Sequence, residues 1–92
     1  MYRKASRSSR VDMTNEIDLH LGRRLRLRRR TLGLTQQQLA AAVGVRFQQI
    51  QKYESGHSRM SAVRLWQLAG PLSVGLDYFF EGLSSDALSS AA

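Results

Sequence analysis

Apolar residues recur along this chain at helical rather than strand spacing. Ile17, Leu21, Leu25 and then Leu32 fall at intervals close to one or two turns, and Gly33 stands where a left-handed C-cap belongs, so the spacing predicts a first helix over 15–32. The segment before it mixes Arg with Ser without apolar periodicity, and 1–13 reads as a flexible basic arm. Thr35-Gln36-Gln37-Gln38 has the form of a capping box that opens a second helix through Leu39, Ala40 and Val43 to Gly44. Phe47, Ile50 and Tyr53 mark a third helix over 47–54, closed by Ser55-Gly56. Ser61 is placed to cap a fourth over 62–69, with Leu65, Leu68 and Ala69 on one face; Gly70-Pro71 is expected to end or kink it, because Pro71 has no N–H for the Gln67 carbonyl. A last short helix over 75–80 carries Leu76, Phe79 and Phe80. No repeat and no period-two alternation occurs, so the expected class is all-α, with a folded domain over 14–83 and a small polar tail over 84–92 that frays.

The second and third predicted helices are short and joined by Gly44-Val45-Arg46. Ala40, a small side chain where two axes cross, would let the second of them protrude, with Val43, Val45 and Ile50 as apolar pins of the corner. That arrangement suits a DNA-binding helix-turn-helix, but an ordinary αα-hairpin needs the same glycine and the same pins.

Length and composition narrow the field. Ninety-two residues, 42% hydrophobic and 23% charged, are enough for one small domain and argue against disorder throughout. Without Cys there is no disulfide framework, thiolate zinc site or cysteine nucleophile. No apolar run approaches the length of a membrane span, and no apolar stretch follows the N-terminal charges as in a secretory signal. The formal net charge of +7 is one-sided: residues 1–32 carry ten Arg and Lys against Asp12, Glu16 and Asp18, while 33–92 balance. Such a block attracts polyanions, nucleic acid or an anionic membrane, unless it serves only solubility. Arginines on several sides of the first helix leave it no clear apolar face for a membrane surface.

LGRRLRLRRRTLGLTQQQLAAAVGV, RFQQIQKYESG and LDYFFEGL together span 21–83, about two thirds of the chain, and this stretch resembles the Cro/repressor (XRE) helix-turn-helix family, especially its short single-domain members. The resemblance implies a five-helix Cro/repressor-like fold, with 47–54 as the recognition helix of a sequence-specific DNA-binding regulator. At the N-terminal end of that helix, Arg46 can donate two bonds to guanine, Gln48 can pair with adenine, and Phe47 can meet a thymine methyl or else turn into the core. Gln51 and Lys52 share the outward side and are expected on bases or phosphates. Gln36, in the first turn of the second helix, is a candidate phosphate clasp or a plain surface residue. Ser55, His57, Ser58 and Arg59 follow the recognition helix and suit the sugar–phosphate backbone. Arg28 is the phosphate candidate of the first helix; Arg23, Arg24, Arg26 and Arg30 are expected to form a solvated, steering surface.

The resemblance further implies that Arg29, four residues before Gly33, pairs with Glu54 as a structural ion pair. It also places a dimer interface at the C-terminal end, where Leu76, Tyr78, Phe79, Phe80 and Leu83 cluster; the alternative is that all five close a monomer core. Two features depart from the family pattern: Arg46 stands where a Thr or Ser cap is common, and Gly70-Pro71 interrupts a usually continuous helix. His20, His57 and the serines lack partners at catalytic spacing, so no enzyme, metal, cofactor or small-molecule ligand is expected. The expected partners are duplex DNA, read at a palindromic operator, and a second copy of the chain; the expected location is the cytoplasm, at the nucleoid. The competing class is an antitoxin-like protein-interaction module that touches DNA secondarily.

Overall fold

The computed structural model describes residues 2–83, with side chains from 16 onward; the expected tail over 84–92 lies outside the described residues. Five helices follow one another: α1 Tyr2–Thr31, α2 Gln36–Val43, α3 Phe47–Ser55, α4 Ala62–Leu72 and α5 Asp77–Phe80. Among the described residues there is no strand, and no helix is long and apolar enough to cross a membrane.

The ends of these helices follow from local chemistry, with three corrections to the sequence reading. α2 opens on the expected capping box: Thr35 Oγ1 accepts from Gln38 N–H at 3.0 Å, and Gln38 Oε1 accepts from Thr35 N–H at 2.8 Å. α1, expected from residue 15, instead begins at Tyr2, taking in most of the segment read as an arm. That stretch holds neither Gly nor Pro, and helix propensity lets the backbone extend beyond the last core residue. Leu32, expected on the buried stripe, lies past the end of α1 and is 40% exposed. The third correction is α4, which runs through Gly70-Pro71 to Leu72. Pro71 forfeits only one bond so near the helix end, while the wholly buried Leu72 anchors the last turn. The Leu72 carbonyl accepts from Arg28 Nε at 2.8 Å, and Ser73 takes the left-handed conformation that ends the helix.

One core holds the helices together. Leu21 and Leu25 of α1 meet Leu39 and Ala40 of α2, Ile50 and Tyr53 of α3, Leu65, Leu68 and Leu72 of α4, and Phe79 of α5. α1 lies against α3 closely enough that Gly22 faces the Tyr53 and Glu54 carbonyls.

Candidate nucleic-acid interface

α3 owes its position to the turn before it and the residues it buries. Gly44 adopts φ 75°, and the amides of Gly44 and Val45 both donate to Ala40 O, closing α2 and reversing the chain. Ala40 is buried at the crossing, and Ile50 and Tyr53 tie α3 to the core. The opposite side of α3 therefore faces solvent. Arg46, Gln48, Gln51 and Lys52 are exposed there, whereas Phe47 is half-buried and packs against the core. Arg46 is the N-cap of α3 and makes no side-chain cap bond, which leaves the first turn without a side-chain cap.

Behind this face sits a buried polar cluster. Arg29 Nε donates to Glu54 Oε2 at 2.6 Å, Nη2 to Oε1 at 3.1 Å, and Nη1 to the Leu34 carbonyl at 2.7 Å. The side chains are 11% and 5% exposed, so this fork joins α1, the turn after it and α3 in nearly dry surroundings. Gln36 Nε2 donates to Glu54 Oε1 at 3.0 Å, and the amide expected to clasp a phosphate is spent on completing that carboxylate.

The arginines of α1 depart further from expectation. Arg28, the phosphate candidate, is turned to the end of α4 by its bond to Leu72 O. Arg24, expected on a steering surface, donates from Nε to Tyr78 O at 3.0 Å and from Nη2 to Glu81 Oε1 at 2.9 Å, with its guanidinium carbon 3.9 Å from the Tyr78 ring centroid. Both serve as tethers because α1 packs on the C-terminal helices, a tertiary fact without a local signature. Arg23, Arg26 and Arg30 remain exposed.

In the loop after α3, the Ser55 hydroxyl donates to Lys52 O at 3.1 Å and lies 2.9 Å from His57 Nδ1. Ser55 and His57 are thus engaged with one another, though both are exposed; Ser58 is half-buried. Arg59 is 65% exposed and 3.5 Å from Asp18 Oδ1.

Two clefts flank the exposed side of α3. One, of about 550 Å³, is lined by Val45, Arg46, Gln48, Gln49, Lys52, Tyr53 and Arg64; a smaller one, of about 270 Å³, lies among Arg26, Arg29, Gln36, Gln51, Glu54 and Ser55. Arg64, Gln49 and Arg26 have no motif to mark them, and only the packing of α1 and α4 brings the two arginines here. The chemistry available is multiple donation: guanidinium, ammonium and amide groups on one convex helix face, suited to base edges and phosphates rather than to a small enclosed substrate.

The C-terminal apolar cluster is divided. Phe79 is wholly buried in the core, which removes it from the expected interface. Tyr78, expected at the rim of that interface, is half-buried and donates its hydroxyl to Arg24 O at 2.8 Å; Leu83 is half-buried. Leu76 and Phe80 are 40% and 43% exposed, and Val63 and Trp66 of α4 are 65% and 69% exposed. Trp66 and Leu76 border an apolar groove of about 550 Å³ with Ala69, Gly70 and Val74. Val63, Trp66 and Gly70 form a second stripe on α4, at helical spacing and off the Leu65–Leu68–Leu72 face; that spacing was the available signal.

Comparison with known proteins agrees with this architecture. A helix-turn-helix family model matches residues 25–79. A Rhodospirillum rubrum protein named as a transcriptional regulator in the ATPase CF(0) region is 52% identical over 69 residues, covering 75% of this chain and 64% of the relative. An HTH-type transcriptional regulator of Sinorhizobium medicae is 47% identical over 72 residues, covering 78% and 52%. The chain thus spans about half to two thirds of the length of these relatives. Among solved structures, the restriction-modification controller protein C.AhdI from Aeromonas hydrophila superposes with TM-score 0.66 at 30% identity, over 68% of this chain and 96% of its own. The clp gene regulator ClgR from C. glutamicum gives 0.68 at 25%, over 83% and 94%. With its corner at Gly44, its buried Arg29–Glu54 fork and these likenesses, the chain belongs to the Cro/repressor-type (XRE) family of helix-turn-helix proteins.

Proposed function

We propose that this protein is a transcription regulator that binds duplex DNA sequence-specifically, with α3 in the major groove. The observation that carries the reading is the outward face of α3: Arg46, Gln48, Gln51 and Lys52 are all exposed, while Ile50 and Tyr53 hold the helix rigidly from behind. Arg46 and Gln48 are the base readers, able to make paired bonds to guanine and adenine; Gln51 and Lys52 add base or phosphate contacts further along. Phe47 offers the exposed part of its ring to a thymine methyl. Phosphate contacts come from the loop after α3, chiefly Ser58 and Arg59, and from the free backbone amides at the start of α2 rather than from the Gln36 side chain. Regulation would follow from occupying an operator, at the nucleoid, and relatives named as transcriptional regulators support that assignment.

A single recognition helix reads few base pairs, and two copies gain specificity by presenting their helices about 34–36 Å apart along one face of the duplex. The groove bordered by the exposed Trp66 and Leu76 supplies an apolar surface suited to a self-complementary two-fold contact, and Val63 and Phe80 are exposed as well. The operator is therefore palindromic and the bound form a homodimer. Binding to a labelled duplex is tested by anisotropy across a salt series: association should weaken linearly in log–log form, with a slope set by the phosphates contacted. Salt-independent association, or none, would contradict the DNA-binding reading and favour a protein partner on the apolar surface.

A further inference from the structure

Arg64 lies outside the recognition helix yet stands beside it. It is the third residue of α4, half-buried, and its guanidinium is held at two edges: Nε donates to the Tyr53 hydroxyl at 3.2 Å, and Nη1 to Gln67 Oε1 at 2.9 Å. Both acceptors are neutral. Among the described residues no carboxylate lies within ion-pair distance of it, whereas Arg24, Arg29 and Arg59 each have one. Tyr53 is a core residue, 6% exposed, so the group that aims Arg64 is itself fixed by packing.

Arg64 shares its cleft with Arg46 and Lys52, and among the described residues no acidic side chain lines that cleft. Three cations around one groove repel each other, and the occupant that relieves the repulsion is an anion. Most cations on a surface must be ordered when they bind; Arg64 already has two of its edges engaged, and its Nη2 has no hydrogen-bond partner among the described residues.

The geometry points to Arg64 as a phosphate anchor: it grips a phosphodiester of the duplex backbone at the flank of α3 and so fixes the register in which Arg46 and Gln48 meet the bases. Tyr53 and Gln67 are positioning residues for that grip. The inference rests on the DNA-binding reading and adds to it a contact from α4 that acts on every sequence alike.

The test is anisotropy titration of the full chain on its selected duplex and on a random duplex of equal length, across a salt series, with Arg64→Gln, Arg64→Lys and Tyr53→Phe variants. Arg64→Gln is expected to lower the slope of log affinity against log salt by about 0.9, one phosphate, and to weaken both duplexes alike, roughly tenfold at fixed salt, with the melting temperature unchanged. Arg64→Lys keeps the slope but recovers only part of the affinity, because a lysine retains the charge without the fork. Tyr53→Phe weakens both duplexes by less than Arg64→Gln. If Arg64→Gln lowers the melting temperature, Arg64→Met, which keeps the apolar stem, is read in the same way. An unchanged slope overturns the inference, as does a loss confined to the selected duplex, which would make Arg64 a base reader. Absence of salt-dependent binding by the wild-type chain would instead bring down the DNA-binding reading itself.

Discussion

Gly22 sits in the middle of α1, where alanine would ordinarily stabilise a helix by roughly 0.5–1 kcal/mol. Here a Cβ would strike the Tyr53 carbonyl oxygen and lie 2.8 Å from that of Glu54, so Gly22→Ala is expected to destabilise by about 2–3 kcal/mol, read as a lowered melting temperature. A higher one would mean that α1 and α3 lie further apart. Gly44 differs in kind: nothing lies within 4 Å of its would-be Cβ, and only its φ of 75° resists substitution. Gly44→Val therefore tests the turn alone, with an expected loss of about 1–3 kcal/mol. Glu54→Gln should cost about 3–5 kcal/mol by stranding the buried Arg29 charge, whereas Glu81→Gln, at an ion pair whose carboxylate is 62% exposed, should change stability by less than about 1 kcal/mol. Chemical denaturation of both variants checks the contrast; equal effects would contradict it. Gly44 was legible in the sequence because it follows a short capped helix. Gly22 was not, since a close approach between helices has no local signature.

Helix by helix, local signals succeeded where local chemistry decides the outcome. Thr35 and Gln38 marked the start of α2 through bonds they make to each other's backbone, and Ser61 marked α4 by accepting from Arg64 N–H at 3.0 Å. They failed where distant packing decides: Pro71 reads as a breaker, but the burial of Leu72 and the bond from Arg28 carry α4 past it. Arg46 departs from the best local choice for the start of a helix. As an N-cap it makes no cap bond, so Arg46→Thr should gain about 1 kcal/mol of stability while costing about 1–3 kcal/mol of affinity for the preferred duplex. Melting curves and titrations on the same preparation check both; a variant that loses stability, or keeps its affinity, would contradict the assignment of Arg46 to the bases.

In the whole molecule, the charge asymmetry that first pointed to a polyanion is only partly spent on one. Arg24, Arg28 and Arg29 hold α1 to the other helices, and the cations lining the larger of the two clefts beside α3 are Arg46, Lys52 and Arg64, from the half of the chain that looked electrically balanced. Composition could not reveal this, because it counts charges without saying which are consumed by packing. The apolar cluster at the C-terminal end was similarly legible as a group but not in its division, with Phe79 inside and Leu76 and Phe80 outside, where Trp66 of α4 is exposed too. Trp66→Ser should therefore weaken dimerisation on a palindromic duplex while leaving monomer melting within about 0.5 kcal/mol, as sedimentation and calorimetry can show. The central claim, that the outer face of α3 reads bases, is tested most directly by selecting bound duplexes from a random pool with the wild-type chain and with Arg46→Ala and Gln48→Ala. The expected result is a pair of inverted half-sites about 10 base pairs apart, each variant relaxing the choice at one position per half-site. A pool that never enriches a motif, or variants that weaken selected and random duplexes equally, would contradict it.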